Sequence, residues 1–314
     1  MKRKKISVVV SVYNNEESLQ AVYDELQEKV FSKIEEDYEI VMVNDGSRDN
    51  SFEVMKHLAA KDSKVKIISL ARNFGAHAAD LCGLINSTGD CAVTKSADLQ
   101  EPSEMILDML DSWRRGNNIV LAVRKGRDDG AVSNAFANVY YWLVRKFALK
   151  NMPPTGFDMY LADRKVISVL EKLDEKNSPV TAQLLWCGFK TDQILYVRRK
   201  REVGKSGWTF RKKFRLVTDS LFGFSTVPIT FVTIVGILST IGSIIWGLAV
   251  LIGKLKGEIV VEGWTTLFIF NLLSFGIVMI TLGILGGYLW RTFDGVRNRP
   301  VYIIEDDNLG KDTE

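Results

Sequence analysis

The chain has 314 residues, enough for one large domain and something smaller, and 41 basic against 38 acidic side chains leave a net charge of only +3. So small a charge excludes bulk attraction to nucleic acid, and no nucleic-acid partner is expected. The three cysteines, Cys82, Cys91 and Cys187, lack paired or metal-type spacing and read as reduced thiols of a cytosolic domain.

The basic start resembles the charged end of a signal peptide, but the apolar run behind it is short. It covers Ile6 to Val12 and leads straight into Asn14-Asn15-Glu16-Glu17 with no cleavage-like site. We read a buried strand there, Ile6–Tyr13. A helix follows over Ser18–Phe31, with Leu19, Val22, Leu26 and Val30 on one face. The alternation continues with a strand Glu39–Asp45, a helix Asp49–Ala60, a strand Lys66–Leu70 and a helix Ala76–Asn86. Next come a strand Cys91–Asp98, a helix Ser103–Arg115 that Ser103 can cap, and a strand Ile119–Arg124. A β-α-β series of this kind predicts an α/β domain with a mainly parallel sheet and helices on both faces.

Two later segments, Pro228 to Ile252 and Gly263 to Trp290, carry no charge. Each would span roughly 37 Å or more as a helix, enough for a hydrocarbon core of about 30 Å. Arg198, Arg199, Lys200, Arg201, Lys205, Arg211, Lys212, Lys213 and Arg215 precede the first, and Arg291, Arg297 and Arg299 follow the second. Positive flanks mark the cytoplasmic side, so the expectation is a membrane hairpin with both ends, and the large domain, in the cytoplasm. Between domain and hairpin, Trp208 to Phe224 mixes aromatic with basic side chains, as a helix lying in the membrane interface would. The expected division is therefore 1–207, an interfacial segment 208–227, a hairpin 228–290 and a tail 291–314. Small residues recur every fourth position at Ser239, Ser243 and Gly247, and at Gly283 and Gly287. Close packing of the two spans on each other, or a homo-oligomer, would use them.

Ligand sites in parallel sheets form at the carboxyl ends of the strands. Those ends read Tyr13-Asn14-Asn15, Asn44-Asp45-Gly46-Ser47, Arg72-Asn73-Phe74-Gly75, Ser96-Ala97-Asp98-Leu99-Gln100 and Arg124-Lys125-Gly126-Arg127. Taken alone, Asp45-Gly46-Ser47 is also a tight turn with a helix cap, and Arg124 a surface charge. Together they offer a ring to stack on a base, carboxylates for a sugar or cation, and guanidinium groups for phosphates. Competing motifs fail on spacing. Gly204-Lys205-Ser206 lacks the first glycine of a phosphate loop, no Gly-x-Gly-x-x-Gly follows the first strand, and His57 and His77 have no zinc spacing. His57 is expected on a helix surface.

The set Val-Val-Ser-Val-Tyr-Asn-Asn-Glu-Glu (9–17), Val-Asn-Asp-Gly-Ser (43–47), Arg-Asn-Phe-Gly (72–75), Ala-Asp-Leu-Gln-Glu-Pro (97–102) and Arg-Glu-Val-Gly-Lys-Ser-Gly-Trp (201–208) resembles family 2 glycosyltransferases. The likeness is greatest to their polyprenyl-phosphate branch, with its bactoprenol glucosyltransferases and dolichol-phosphate mannose synthases, and it covers nearly the whole chain. The resemblance implies a GT-A domain, a divalent metal (Mg²⁺ or Mn²⁺), a UDP-sugar donor and a polyprenyl (undecaprenyl) phosphate acceptor at the bacterial inner membrane. Glucose is the first expectation for the sugar, then N-acetylglucosamine, then mannose from a GDP donor. It implies nucleotide-binding roles for Ser11, Tyr13, Asn15, Asp45 and Arg72, and a metal held by Asp98 and Gln100. Phosphates would meet Arg124, Arg127, Arg201, Lys205 and Ser206, while Asp98 and Asp158 would be the catalytic acids.

Three positions depart from the family pattern. Ser11 replaces a proline, Asn15 a glutamate, and Ser96 the first acid of an Asp-x-Asp pair. Because hard cations prefer several oxygen ligands, weaker metal binding with retained catalysis is expected. A catalytically silent membrane scaffold of the same fold is the alternative. A processive polysaccharide synthase is disfavoured, since two spans are few for a pore and no Gln-x-x-Arg-Trp motif is present.

Overall fold

The structure, a computed structural model, describes residues 3–125, 131–173, 175, 178–199, 225, 227–256 and 263–309. Its centre is β1 (Lys5–Val12), whose Val8, Val9 and Val10 are all buried. A strand apolar on both faces needs helices on both, which is the condition for an interior parallel strand. It pairs in parallel with β2 (Asp37–Asn44) on one side and β4 (Cys91–Ser96) on the other, while β3 (Val65–Leu70) extends the sheet beyond β2.

Helices α1 (Leu19–Lys29), α2 (Ser51–Lys61) and α4 (Met105–Arg114) cover one face. Ile6, Val8, Val10 and Val12 join their core with Leu26, Leu58 and Met109. On the other face Val9 meets α3 (Ala76–Asn86), whose Gly83 allows the approach: a Cβ there would stand 2.2 Å from Val9 Cγ1. The same face is completed by α5 (Ala131–Phe147), α6 (Arg164–Leu170) and α7 (Val180–Trp186).

Beyond the expected elements, the sheet has eight strands in the order β7-β5-β6-β4-β1-β2-β3-β8. β5 (Ile119–Arg124) pairs in parallel with β7 (Thr191–Tyr196). β6 (Phe157–Asp163) runs antiparallel between β4 and β5, and β8 (Ile304–Asp307) runs antiparallel to β3. At the amino edge Glu39 is buried but fully partnered, accepting from Lys5 Nζ, Ser7 Oγ, and both the amide and hydroxyl of Thr88. Burial pushes its carboxyl up, yet these donors outweigh burial and hold it below the usual range.

The charge-free segments form two long helices, α8 (Val227–Leu255) and α9 (Trp264–Val296). Both are long and apolar enough to cross a membrane, over Val227–Ala249 and Leu273–Val296. Large apolar side chains such as Phe231, Ile245, Leu273 and Leu289 face outward, opposite to what a buried core helix would do. The Trp208–Phe224 segment lies outside the described residues.

Candidate active site

The loops after β1 and β2 are sewn together by side chains that cap backbone N–H groups. Asn14, at a positive φ of 54°, donates its amide to Ser47 Oγ at 3.0 Å, and its Oδ1 accepts from the amide of Arg48 at 2.9 Å. The amide of Asn15 donates to Ser51 Oγ, while Asn15 Oδ1 accepts from the amide of Tyr13. Asn15 thus shapes the loop from which Tyr13, 44% exposed, projects.

Asp45, at the end of β2, accepts from the amides of Phe74 at 2.7 Å and Gly75 at 2.9 Å. It thereby fixes the loop after β3. Burial raises its pKa, against those two amides and Arg72. Arg72 remains exposed, its guanidinium 4.0 Å over the Phe74 ring.

Ser11 stands near Asp80, a carboxylate on an otherwise apolar stretch of α3 that the strand-end rule does not reach. Burial lifts the Asp80 carboxyl to about 7. A carboxyl raised on folding destabilises the fold as it ionises, so stability present below the unfolded value near 3.8 is lost as pH climbs through about 7. Urea titrations between pH 4 and 7.5 should show the unfolding free energy falling, and Asp80→Asn should flatten that fall.

At the end of β4, the Ser96 hydroxyl lies against two carboxylates, Asp98 Oδ1 at 2.7 Å and Glu101 Oε2 closer still. A hydroxyl has one hydrogen and cannot donate to both. Glu101 is only 2% exposed, and burial raises its pKa. Lys95, equally buried, donates from Nζ to the Glu101 carbonyl at 2.7 Å. Gln100 Oε1 accepts from Arg198 Nη2 at 2.6 Å, so a metal at that oxygen would share it with a guanidinium. Arg199 docks beside it, on Glu25 at 2.9 Å and Glu104 at 3.2 Å.

At the end of β5, Arg124 is 8% exposed and grips Asp158 through Nε and Nη2. Tyr196 Oη donates to the same carboxylate at 2.6 Å. Burial alone would raise the Asp158 pKa; Arg124 and Tyr196 more than offset it and hold the carboxyl below its usual range. The Arg124 guanidinium therefore meets a carboxylate in this structure, where a phosphate contact was expected from sequence. Arg127, Arg201, Lys205 and Ser206 lie outside the described residues.

Ser11, Tyr13, Asp45, Arg72, Asp98, Arg124 and Asp158 thus share one sheet edge, supported by Asn15 and Gln100. Glu101, Tyr196 and Arg198 join them, although the sequence assigns none of the three a role in the site. Glu101 stood inside a quoted motif, whereas the other two reach the site only through pairing of β7 with β5.

Residues 7–167 match the family description "Glycosyl transferase family 2". The chain is 35% identical over 300 residues to the uncharacterized glycosyltransferase YkcC of Bacillus subtilis, covering 95% of this chain and 93% of the relative. It is 33% identical over 308 residues to the bactoprenol glucosyl transferase of Shigella phage SfII, covering 98% and 99%. It is likewise 33% identical over 303 residues to an Escherichia coli prophage bactoprenol glucosyl transferase homolog, covering 96% and 98%. With a mainly parallel, Rossmann-like GT-A sheet and these matches, the chain belongs to glycosyl transferase family 2 and is a glycosyltransferase.

Proposed function

We propose that this glycosyltransferase moves glucose, with inversion, from UDP-glucose to a polyprenyl phosphate such as undecaprenyl phosphate at the cytoplasmic face of a bacterial inner membrane. The observation that carries the reading is the nearly end-to-end match to relatives named bactoprenol glucosyl transferase, which takes in the helical hairpin as well as the catalytic domain. Residues 1–207 are the cytoplasmic catalytic part, 208–227 an interfacial segment, 228–290 a hairpin crossing twice, and 291–314 return to the cytoplasm, where β8 rejoins the catalytic sheet.

Tyr13 supplies an exposed ring for the base, beside Asp45 and Arg72. The acceptor is a phosphomonoester whose second pKa is about 6, so at neutral pH its oxygen already carries the charge needed to attack the anomeric carbon. A strong general base is unnecessary. Asp158, held ionised by Arg124 and Tyr196, is poised to keep its charge and fix the geometry of this edge.

A divalent metal fits the donor set around Ser96. Two carboxylates, Asp98 and Glu101, converge on one hydroxyl, an oxygen-rich set of the kind a hard cation takes. Among the described residues no group of three or more His, Cys, Asp or Glu could hold a metal, so diphosphate oxygens would complete its shell. Asp98 and Glu101 are the protein groups to hold it. When bound, such a metal would stabilise charge developing on the leaving diphosphate.

Ser96 also favours a second reading, a membrane scaffold that binds donor without turnover. The test is radiolabel transfer in membranes carrying the protein, with undecaprenyl phosphate, Mg²⁺ or Mn²⁺, and a panel of UDP- and GDP-sugars. A metal-dependent, chloroform-extractable product from UDP-glucose is expected. Donor binding with no product from any sugar would favour the scaffold.

A further inference from the structure

Strand β8 lies beyond the second long helix, yet it belongs to the catalytic sheet. Ile304 stands opposite Leu70, Asp306 opposite Ser69 and Asp307 opposite Ile68. β8 therefore enters the sheet at the carboxyl end of β3 and runs toward its amino end. The ladder continues past both ends of the strand. The Ala71 amide donates to the Ile303 carbonyl at 3.0 Å, and the Asn308 amide to the Ile67 carbonyl at 3.2 Å. The Asn308 side chain imitates one more strand residue, accepting from the Ile67 amide at 2.7 Å and donating to the Val65 carbonyl at 3.4 Å. Val301, Tyr302, Ile304 and Leu309 pack on the core beneath α3.

Only Arg297–Ile303 separates the end of α9 from β8. Seven extended residues reach no more than about 25 Å. The chain entering α8 lies beside α9 about two turns before its end, because Tyr288 Oη donates to the Ser225 carbonyl at 2.8 Å. One end of the helical hairpin is thus tied by a short tether to the sheet edge that carries Asp45, Asp98 and Asp158.

We propose that β8 is a clasp that turns the carboxyl edge of the sheet, and the site on it, toward the bilayer. This rests on the membrane reading of α8 and α9 under the proposed function. A domain attached at one point keeps rotational freedom about that point. A second attachment at β3 removes most of that rotational freedom, so an acceptor phosphate at the lipid surface meets an edge already facing it. The surface presented to lipid is then the edge bearing Tyr13, Arg48 and Arg72, and the opposite edge, bearing Ser63 and Gly116, faces away.

The test needs no sugar transfer. Single cysteines at Arg48→Cys or Ser63→Cys, in a full-length Cys187→Ser background, carry a donor dye. The protein is inserted in phosphatidylethanolamine–phosphatidylglycerol vesicles containing an acceptor-labelled lipid. The two positions flank opposite edges of a sheet about 20 Å deep. Energy transfer from position 48 should be at least twofold that from position 63. Equal or reversed transfer would overturn the orientation. Separately, Ser69→Cys with Asp306→Cys should form an intrachain disulfide in the vesicle-inserted protein, because register partners lie within bridging range. Failure of that bridge to form would overturn the clasp. Truncation after Ile303, if it keeps a cooperative melt, should bring the two dye positions to within 20% of each other. An unchanged difference would also sink the proposal. A chain that fails to insert would refute the membrane reading, whereas one that inserts and orients but transfers no sugar would refute only the proposed reaction.

Discussion

Replacing Asp98 by alanine should lower sugar transfer by about 10²–10³-fold, the usual effect of removing one preorganised group from the charge-stabilising set of a transfer reaction. Asp98 stands just beyond β4, on a turn where Leu99 has a positive φ of 58°, and its Oδ1 accepts from Ser96 Oγ at 2.7 Å and the Gln100 amide at 3.3 Å. Steady-state transfer and Mn²⁺ titration followed by electron paramagnetic resonance, with UDP present, would read activity and metal affinity separately. Both should weaken in Asp98→Ala. Ser96→Asp would set a third carboxylate beside Asp98 and Glu101. A divalent cation relieves that repulsion, so Ser96→Asp should tighten Mn²⁺ binding and Glu101→Gln should weaken it. If wild type and Asp98→Ala prove equally silent, the scaffold reading gains.

The second large effect is on stability. Asp158→Ala should cost about 3–5 kcal/mol of unfolding free energy, the range for removing one member of a buried ion pair. Arg124 would be left inside the sheet edge, and Tyr196 would lose its acceptor. Guanidinium titration followed by tryptophan fluorescence measures the loss. The pH dependence has a definite sign. The Asp158 carboxyl is held below its ordinary 3.8, so its stabilisation is complete above that value and disappears as pH falls through the lower folded value. Activity carries a separate signature. A positioning role predicts that Asp158→Asn is impaired by a similar factor at pH 7 and pH 9. Recovery of turnover at high pH, with donor binding unchanged, would instead make Asp158 a base.

The first half of the sheet was legible because each strand is a short apolar run closed by turn residues. Ile119–Arg124 and Ala76–Asn86 were read with the boundaries the structure has, and the second strand only shifted, from Glu39–Asp45 to Asp37–Asn44. β6 and β8 were not legible. Nothing in Phe157–Asp163 states that it inserts antiparallel between β4 and β5, and Ile304–Asp307 becomes a strand only because an open edge at β3 awaits it. The site divided in the same way. Asp45, Asp98 and Arg124 follow from the rule about strand ends. Arg198 meets Gln100 across 98 residues and Tyr196 meets Asp158 across 38, and such partners are set by topology. Asp80 did leave a signal, a lone carboxylate in a helix otherwise rich in alanine and leucine, which was overlooked.

Gly46 joins two of these loops more rigidly than hydrogen bonds could. A methyl group there would sit 2.5 Å from the Arg72 carbonyl carbon and 2.6 Å from the Asn73 nitrogen, at a φ of +64° that suits glycine. The loops after β2 and β3 touch main chain to main chain, with no side chain between them to act as a cushion. Neither can be remodelled alone. A change of donor preference evolved or engineered in one loop will therefore have to arrive with a matching change in the other.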